Sequence, residues 1–346
     1  MGIMNVVRFD RWIDPVFDQR LAQEKDIALK VVARQGADEA AWAALAAAHV
    51  YHITAAKDEL PRHFFATEAL LARCPQLLCV SSSGAGFDTV DAEACTRAGV
   101  AVVNQAGANA DSVAEHAIGL LLAVVRRIVE TDRRMHTETG YAREDLMGHE
   151  IRGRTIGIVG LGHTGRRVAA LARAFGMEVL ATDPYLSEAE MAQRGARKVE
   201  LPALLAAADV LSLHCPRDAS TLKMIDAAAL AQMKRGAILV STARGGIHDE
   251  MAVYAALKSG QLAGAGLDVW EVEPPPLDHP LLTLNNVIAS FHLAGVTHEA
   301  RRNVASMGAD QIAGLLHGQR PPRIVNPQVW PAFAARYKAA FGKDLA

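Results

Sequence analysis

The stretch Arg154-Thr-Ile-Gly-Ile-Val-Gly160-Leu-Gly162-His-Thr-Gly165-Arg-Arg-Val-Ala constrains this chain more than any other. It reads as a short β-branched strand, a tight glycine turn and the opening of a helix. Gly160 permits the sharp turn, Gly162 leaves a diphosphate room against the backbone, and Gly165 lets helix and strand pack closely. The amides of His163 and Thr164 then stand at a helix N-terminus, where free N–H groups and the helix dipole favour an anion. Glycine-rich turns are common in α/β proteins, so this pattern alone does not separate a nucleotide site from an ordinary turn.

The next strand adds weight. Met177-Glu-Val-Leu-Ala-Thr182 ends at Asp183, eighteen positions after Gly165. A dinucleotide fold places there the carboxylate that accepts hydrogen bonds from the adenosine ribose. The charge of Asp183 repels a 2′-phosphate and Pro184-Tyr185 supplies no arginine to bind one, so NAD is expected rather than NADP.

A chain of 346 residues is long enough for two domains with cores of their own. Net charge near −2 without a long basic run gives no reason to expect nucleic acid. Cys74, Cys79, Cys95 and Cys215 form no CxxC pair and no metal-ligand cluster, so no metal is expected and the thiols read as reduced, in a cytoplasmic protein. The N-terminus shows no cationic segment with a cleavage site, and the longest apolar run, Ala117 to Val125, is too short to cross a bilayer. No membrane association is expected.

Residues 1 to about 106 alternate short apolar runs with alanine-rich helical stretches, as an α/β unit does. Candidate strands are Val6–Phe9, His49–Ile53, Leu77–Ser81 and Gly99–Asn104, with helices around Asp38–Ala48 and Glu68–Ala72. Ser81-Ser-Ser-Gly84-Ala85-Gly86 makes a loop at a strand's carboxyl end, where open sheets present amides to ligands, although an ordinary turn reads the same way. Ser112 to about His136 reads as one long helix, with Ser112 as N-cap and Glu115 completing a capping box. Its apolar middle suits burial in a core or a contact between two copies, and a homodimer is expected. Beyond Asp183 the strand-helix alternation resumes, with strands Val210–His214, Gly236–Ser241, Leu262–Asp268 and Asn286–Ser290. From Thr297 the tail reads as a helix, Glu299 to Leu316, followed by Pro-rich coil, and this helix can return the chain to the first unit.

Arg244, Glu273 and His292 each follow the carboxyl end of a predicted strand of the nucleotide sheet. Ligands bind at that edge in open α/β folds. An arginine fork matches a carboxylate, a histidine exchanges one proton near neutrality, and a carboxylate beside it fixes the ring and stabilises imidazolium. Singly, they read as a surface arginine, a solvated glutamate and a capping histidine. Three such residues at the ends of one sheet read as a site.

Here the chain resembles the D-isomer-specific 2-hydroxyacid dehydrogenase family from about Leu77 to Asn326. The resemblance rests on Gly84-Ala-Gly-Phe-Asp-Thr-Val-Asp91, Gly99-Val-Ala-Val-Val-Asn104, Ser112-Val-Ala-Glu-His116, Gly160-Leu-Gly-His-Thr-Gly165 and Asp183-Pro. It continues with Thr242-Ala-Arg-Gly245, Gly264-Ala-Gly-Leu-Asp-Val-Trp-Glu-Val-Glu-Pro274 and His292-Leu-Ala-Gly-Val-Thr297. The resemblance implies two doubly wound parallel-sheet domains. A Rossmann-type NAD-binding domain (107–296) is inserted in a discontinuous substrate domain (1–106 with 297–346). It implies NAD-dependent hydride transfer between a small 2-keto acid and its D-2-hydroxy acid. In that scheme His292 is the acid/base, Glu273 its partner and Arg244 the substrate arginine, with the Ala85 and Gly86 amides cradling the substrate carboxylate. Gly160, Gly162, His163, Thr164, Gly165, Asp183, Cys215, Pro216, Thr242 and Asp268 match cofactor-lining positions, as does Ser112 near the nicotinamide. Thr242, Phe291 (where many members have proline) and Gly107-Ala-Asn-Ala-Asp111 depart from the common wording. An NAD(H)-sensing binding protein of the corepressor type is the alternative that shares this scaffold. Glu273, where formate dehydrogenases carry glutamine, argues against that activity.

Overall fold

The computed structural model describes residues 2–34 and 38–345, and the chain divides into two compact units, Met1–Asn109 with Thr297–Ala346, and Ala110–Val296. In the first unit the apolar runs form β1 (Met4–Phe9), β2 (Ile27–Val32), β3 (Val50–Ile53), β4 (Cys79–Ser82) and β5 (Ala101–Val103). They pair in parallel in the order β2-β1-β3-β4-β5, so the chain changes direction across the sheet between β1 and β3. The strands expected for this unit do not include β2, although its run Ile27-Ala-Leu-Lys-Val-Val32 is apolar at every position but Lys30; it is an edge strand that buries only Ile27 and Val32.

Residues 323–326 close the other edge. Val325 N–H donates to Val102 O (2.7 Å), Asn104 N–H to Arg323 O (3.2 Å), and Val102 N–H to the Asn326 side chain (2.8 Å). An edge strand left bare would invite pairing with other chains. The expected coil after Leu316 needs correction. Trp330–Phe341 is a helix with proline in its first turn, and Phe333 and Tyr337, four apart, are fully buried beneath the sheet. It joins the His298–Leu316 helix in the core formed with Met4, Val6, Phe17 and Val50.

The second unit carries β6 (Thr155–Val159), β7 (Glu178–Thr182), β8 (Arg197–Lys198), β9 (Val210–Leu213), β10 (Ala237–Ser241), β11 (Leu262–Leu267) and β12 (Val287–Ala289). All seven are parallel, in the order β12-β11-β10-β9-β6-β7-β8. Helices cover both faces, as an all-parallel sheet requires, and give an apolar layer on each. The chain leaves β6 toward β7 and β8, then returns to β9 on the other side. The switch point therefore lies between β6 and β9.

The expected single helix from Ser112 to His136 is two helices, Ala110–Val125 and Ile128–Thr137. Continuation would need the Val125 carbonyl for an amide one turn on. It accepts instead from His149 N–H at 2.8 Å, and Arg127 turns left-handed at φ 52°. Ser112 is also not the N-cap, because the helix begins two residues earlier, at Ala110.

Candidate active site

The glycine turn lies at the switch point of the larger sheet. Gly160 takes φ +87°, and a Cβ there would stand 2.7 Å from the Cys215 amide nitrogen, so the turn presses on the chain leaving β9. A Cβ at Gly165 would stand 2.1 Å from the Gly160 carbonyl oxygen, whereas one at Gly162 meets nothing within 4 Å. Thus two glycines serve close packing and the third faces open space, the arrangement that suits a diphosphate. His163 and Thr164 open the His163–Ala174 helix behind that space. Asp183 follows β7, and its carboxylate accepts from Leu161 N–H (2.9 Å) and Tyr185 N–H (3.0 Å), which pins it at the rim of the turn. The residues fit a dinucleotide.

Further along this edge, Cys215 is buried, which pushes its thiol up to about 11 and keeps it protonated, and Pro216 beside it is exposed. The Ser241 and Thr242 hydroxyls, at the end of β10, are buried without a hydrogen-bond partner among the described residues. Buried polar groups of this kind ordinarily find a partner, so a ligand or water is called for here. Ser112 sits in the first turn of the Ala110–Val125 helix.

Arg244, Glu273 and His292 follow β10, β11 and β12, which are neighbours in the sheet, so one edge carries all three. His292 Nδ1 lies 2.9 Å from Glu273 Oε2. An ionised carboxylate only accepts, so Nδ1 carries the hydrogen and Nε2 is left to exchange a proton. Burial pushes the Glu273 carboxyl up. The hydrogen bond and charge of His292, the Trp270 N–H and the Arg244 charge outweigh it and hold the group below the usual carboxylate range. Its other oxygen accepts from Trp270 N–H at 3.1 Å. His292 itself is left-handed at φ +48°, a conformation that costs a non-glycine residue about 1–3 kcal/mol and persists only where the surroundings enforce it.

Those surroundings are Asp268. Three consecutive amides grip this fully buried residue: His292 N–H donates to its carbonyl (2.7 Å), Leu293 N–H to Oδ1 (2.8 Å) and Ala294 N–H to Oδ2 (2.9 Å). Ser290 Oγ donates to Oδ1 at 2.7 Å, and His116 Nε2, from the Ala110–Val125 helix, meets Ser290 Oγ at 2.8 Å. In the sequence Asp268 stands only as a cofactor-lining position, and no pattern gives His116 or Ser290 a role.

In the first unit the loop after β4 is held by its carbonyls. Gln105 N–H donates to Gly84 O (2.8 Å), Asn104 Nδ2 to Ala85 O (2.8 Å) and Ser82 Oγ to Gly86 O (2.5 Å). The Ala85 and Gly86 amides make no hydrogen bond among the described residues.

Residues 118–294 match the family described as D-isomer specific 2-hydroxyacid dehydrogenase, NAD binding domain. The chain is 42% identical over 257 residues to a D-3-phosphoglycerate dehydrogenase of Archaeoglobus fulgidus, covering 74% of this chain and 49% of that one. It is 40% identical over 265 residues to a glyoxylate reductase of Korarchaeum cryptofilum, covering 74% and 78%. Among solved structures it resembles the D-lactate dehydrogenase of Aquifex aeolicus complexed with NAD and lactic acid. The TM-score is 0.79 at 26% identity, over 93% of this chain and 99% of that one. The chain spans about half the length of the phosphoglycerate dehydrogenases it matches.

Proposed function

Because the chain belongs to the D-isomer-specific 2-hydroxyacid dehydrogenase family, we propose that it interconverts a small 2-keto acid and its D-2-hydroxy acid with NAD(H). Bound NADH supplies the hydride that the keto carbon accepts. Arg244 binds the substrate carboxylate and polarises the adjacent carbonyl, an interaction that strengthens as the oxygen gains charge. His292, protonated, gives its Nε2 proton to that oxygen, and Glu273 stabilises the ring while it is charged. The Ala85 and Gly86 amides are proposed as further donors to the carboxylate. The observation that carries this reading is the His292–Glu273 contact of 2.9 Å beside the strand end that bears Arg244.

NAD rather than NADP is proposed on the carboxylate of Asp183, which two amides fix just past β7 and whose charge would repel a 2′-phosphate. A homodimer is proposed with it, supported by the Ile128–Thr137 helix, none of whose residues is buried among the described residues. A cytoplasmic location is supported by four free, buried cysteines. Among the described residues no helix is long and apolar enough to cross a membrane.

The test is NADH oxidation against glyoxylate, hydroxypyruvate, 3-phosphohydroxypyruvate, pyruvate, a branched-chain keto acid and phenylpyruvate, each repeated with NADPH. Turnover on at least one, faster with NADH, is expected. His292→Ala should lower it about 10²–10⁴-fold, with NADH binding kept, and Arg244→Ala should also turn over poorly. Near-native turnover in either variant removes that residue's role. NADH binding without turnover on any acid removes the enzyme reading.

A further inference from the structure

We propose that His116 is a positioning residue for this reaction. Through Ser290 it completes the donor set around Asp268 and so holds the loop that carries His292. The inference rests on the acid/base reading of His292 for its kinetic consequence, but its structural content stands apart from it.

Counting protons gives the direction of the contact. Ser290 has one hydroxyl hydrogen, and it lies on Asp268 Oδ1 at 2.7 Å. The 2.8 Å contact between Ser290 Oγ and His116 Nε2 then needs its hydrogen from the histidine. Both the neutral Nε2–H tautomer and the imidazolium supply it, so the role does not depend on the charge of the ring. His116 Nε2 also stands 3.6 Å from Asp268 Oδ1, close enough to share the carboxylate's field.

The chain of contacts has a defined output. Asp268 is wholly buried and takes the amides of residues 292, 293 and 294 in succession. Those bonds hold His292 left-handed and fix where its ring meets Glu273. His116 enters from a helix, whereas Asp268 and Ser290 end strands, so this bond anchors the catalytic loop to an element outside it. Without the histidine donor, the serine oxygen loses a partner and the serine is free to turn away from the carboxylate. The loop then loses its single imposed conformation. A displacement of about 1 Å at a reacting group is enough for a rate loss on the order of 100-fold.

Four variants test this: His116→Leu, which removes the donor; His116→Gln, whose amide places an N–H near the position of Nε2; Ser290→Ala, which breaks the relay; and the double variant of His116→Leu with Ser290→Ala. Hydrogen exchange of the amides of residues 292–294 is read in the cofactor-free protein by mass spectrometry. Kinetic constants are read with NADH and the fastest keto acid of the panel above. His116→Leu should speed exchange in that segment and lower kcat on the order of 10–100-fold, a larger change than in the KM for NADH. His116→Gln should restore most of both. Ser290→Ala should match His116→Leu, and the double variant should be no worse than either.

Wild-type exchange and kcat in both His116→Leu and Ser290→Ala would overturn the proposal. So would a glutamine variant as impaired as the leucine one, since bulk rather than the N–H would then be what matters. If His116→Leu does not fold, Ser290→Ala carries the test. Should His292→Ala turn over normally, the acid/base reading fails while the exchange experiment still decides the anchoring.

Discussion

Arg244 reaches the sheet edge because the residue after it has no side chain. A Cβ on Gly245 would fall 1.8 Å from the Trp270 carbonyl oxygen and 2.7 Å from the Glu271 nitrogen, backbone atoms with nowhere to go. The turn that presents Arg244 is thus laid directly on the segment that leads to Glu273. Gly245→Ala should part the two, lowering stability by about 1–3 kcal/mol and turnover with it. Calorimetry and kinetics check this, and a variant with native Tm and kcat would show that the loops tolerate separation. Arg244, Glu273 and His292 were legible in the sequence because each follows an apolar run, and the run reveals the strand end. His116 was not. It sits inside a helix, and its partner Ser290 lies 174 positions away with no pattern joining them.

At the level of elements, strands buried on both faces were the easiest to find, since continuous apolar runs mark them. The half-exposed β2 carries an apolar run too, broken only by Lys30, so its sequence does not show that it lies at an edge with most of its length open. The C-terminal helix was missed although Trp330, Phe333, Tyr337 and Phe341 recur at helical spacing, because the prolines around it read as coil. The break at Arg127 could not be read locally, since the amide that stops the helix comes from His149. The second half of that broken helix has Ile128 54% and Met135 67% exposed, apolar side chains left more than half open among the described residues. A partner copy is expected to cover them. Sedimentation should give twice the 37.0 kDa chain mass, and Ile128→Asp with Met135→Asp should reduce it to one. A wild-type protein that sediments as a single chain would refute the dimer.

Over the whole molecule, both units carry histidines kept neutral inside the fold. Burial, with the charges of Arg11 and Arg8, lowers His52 to about 3, and burial lowers His214 and His248 to about 4. Their ordinary value is 6.5, so between there and the folded values the unfolded chain binds more protons. Stability should therefore fall as pH drops below about 6.5, by up to about 1.4 kcal/mol per unit for each histidine. Carboxylates with depressed values, Glu273 among them, lose their contribution only at lower pH, which leaves pH 5 to 6.5 as a window for the histidines, by roughly these values. His248 has neither ring nitrogen bonded among the described residues. His248→Leu should flatten the fall of Tm across that window, and an unchanged slope would remove His248 from the account.

The first unit is made from two separate segments, Met1–Asn109 and Thr297–Ala346, and this sets an order in time. Val102 is held by Asn326 across 224 positions. On a ribosome adding about 5–20 residues per second, β5 waits roughly 10–45 s for the segment that seals its edge. In that interval every residue of the Ala110–Val296 unit is made. The unit begun first is finished after the inserted one, which can be complete before the unit whose sequence it interrupts.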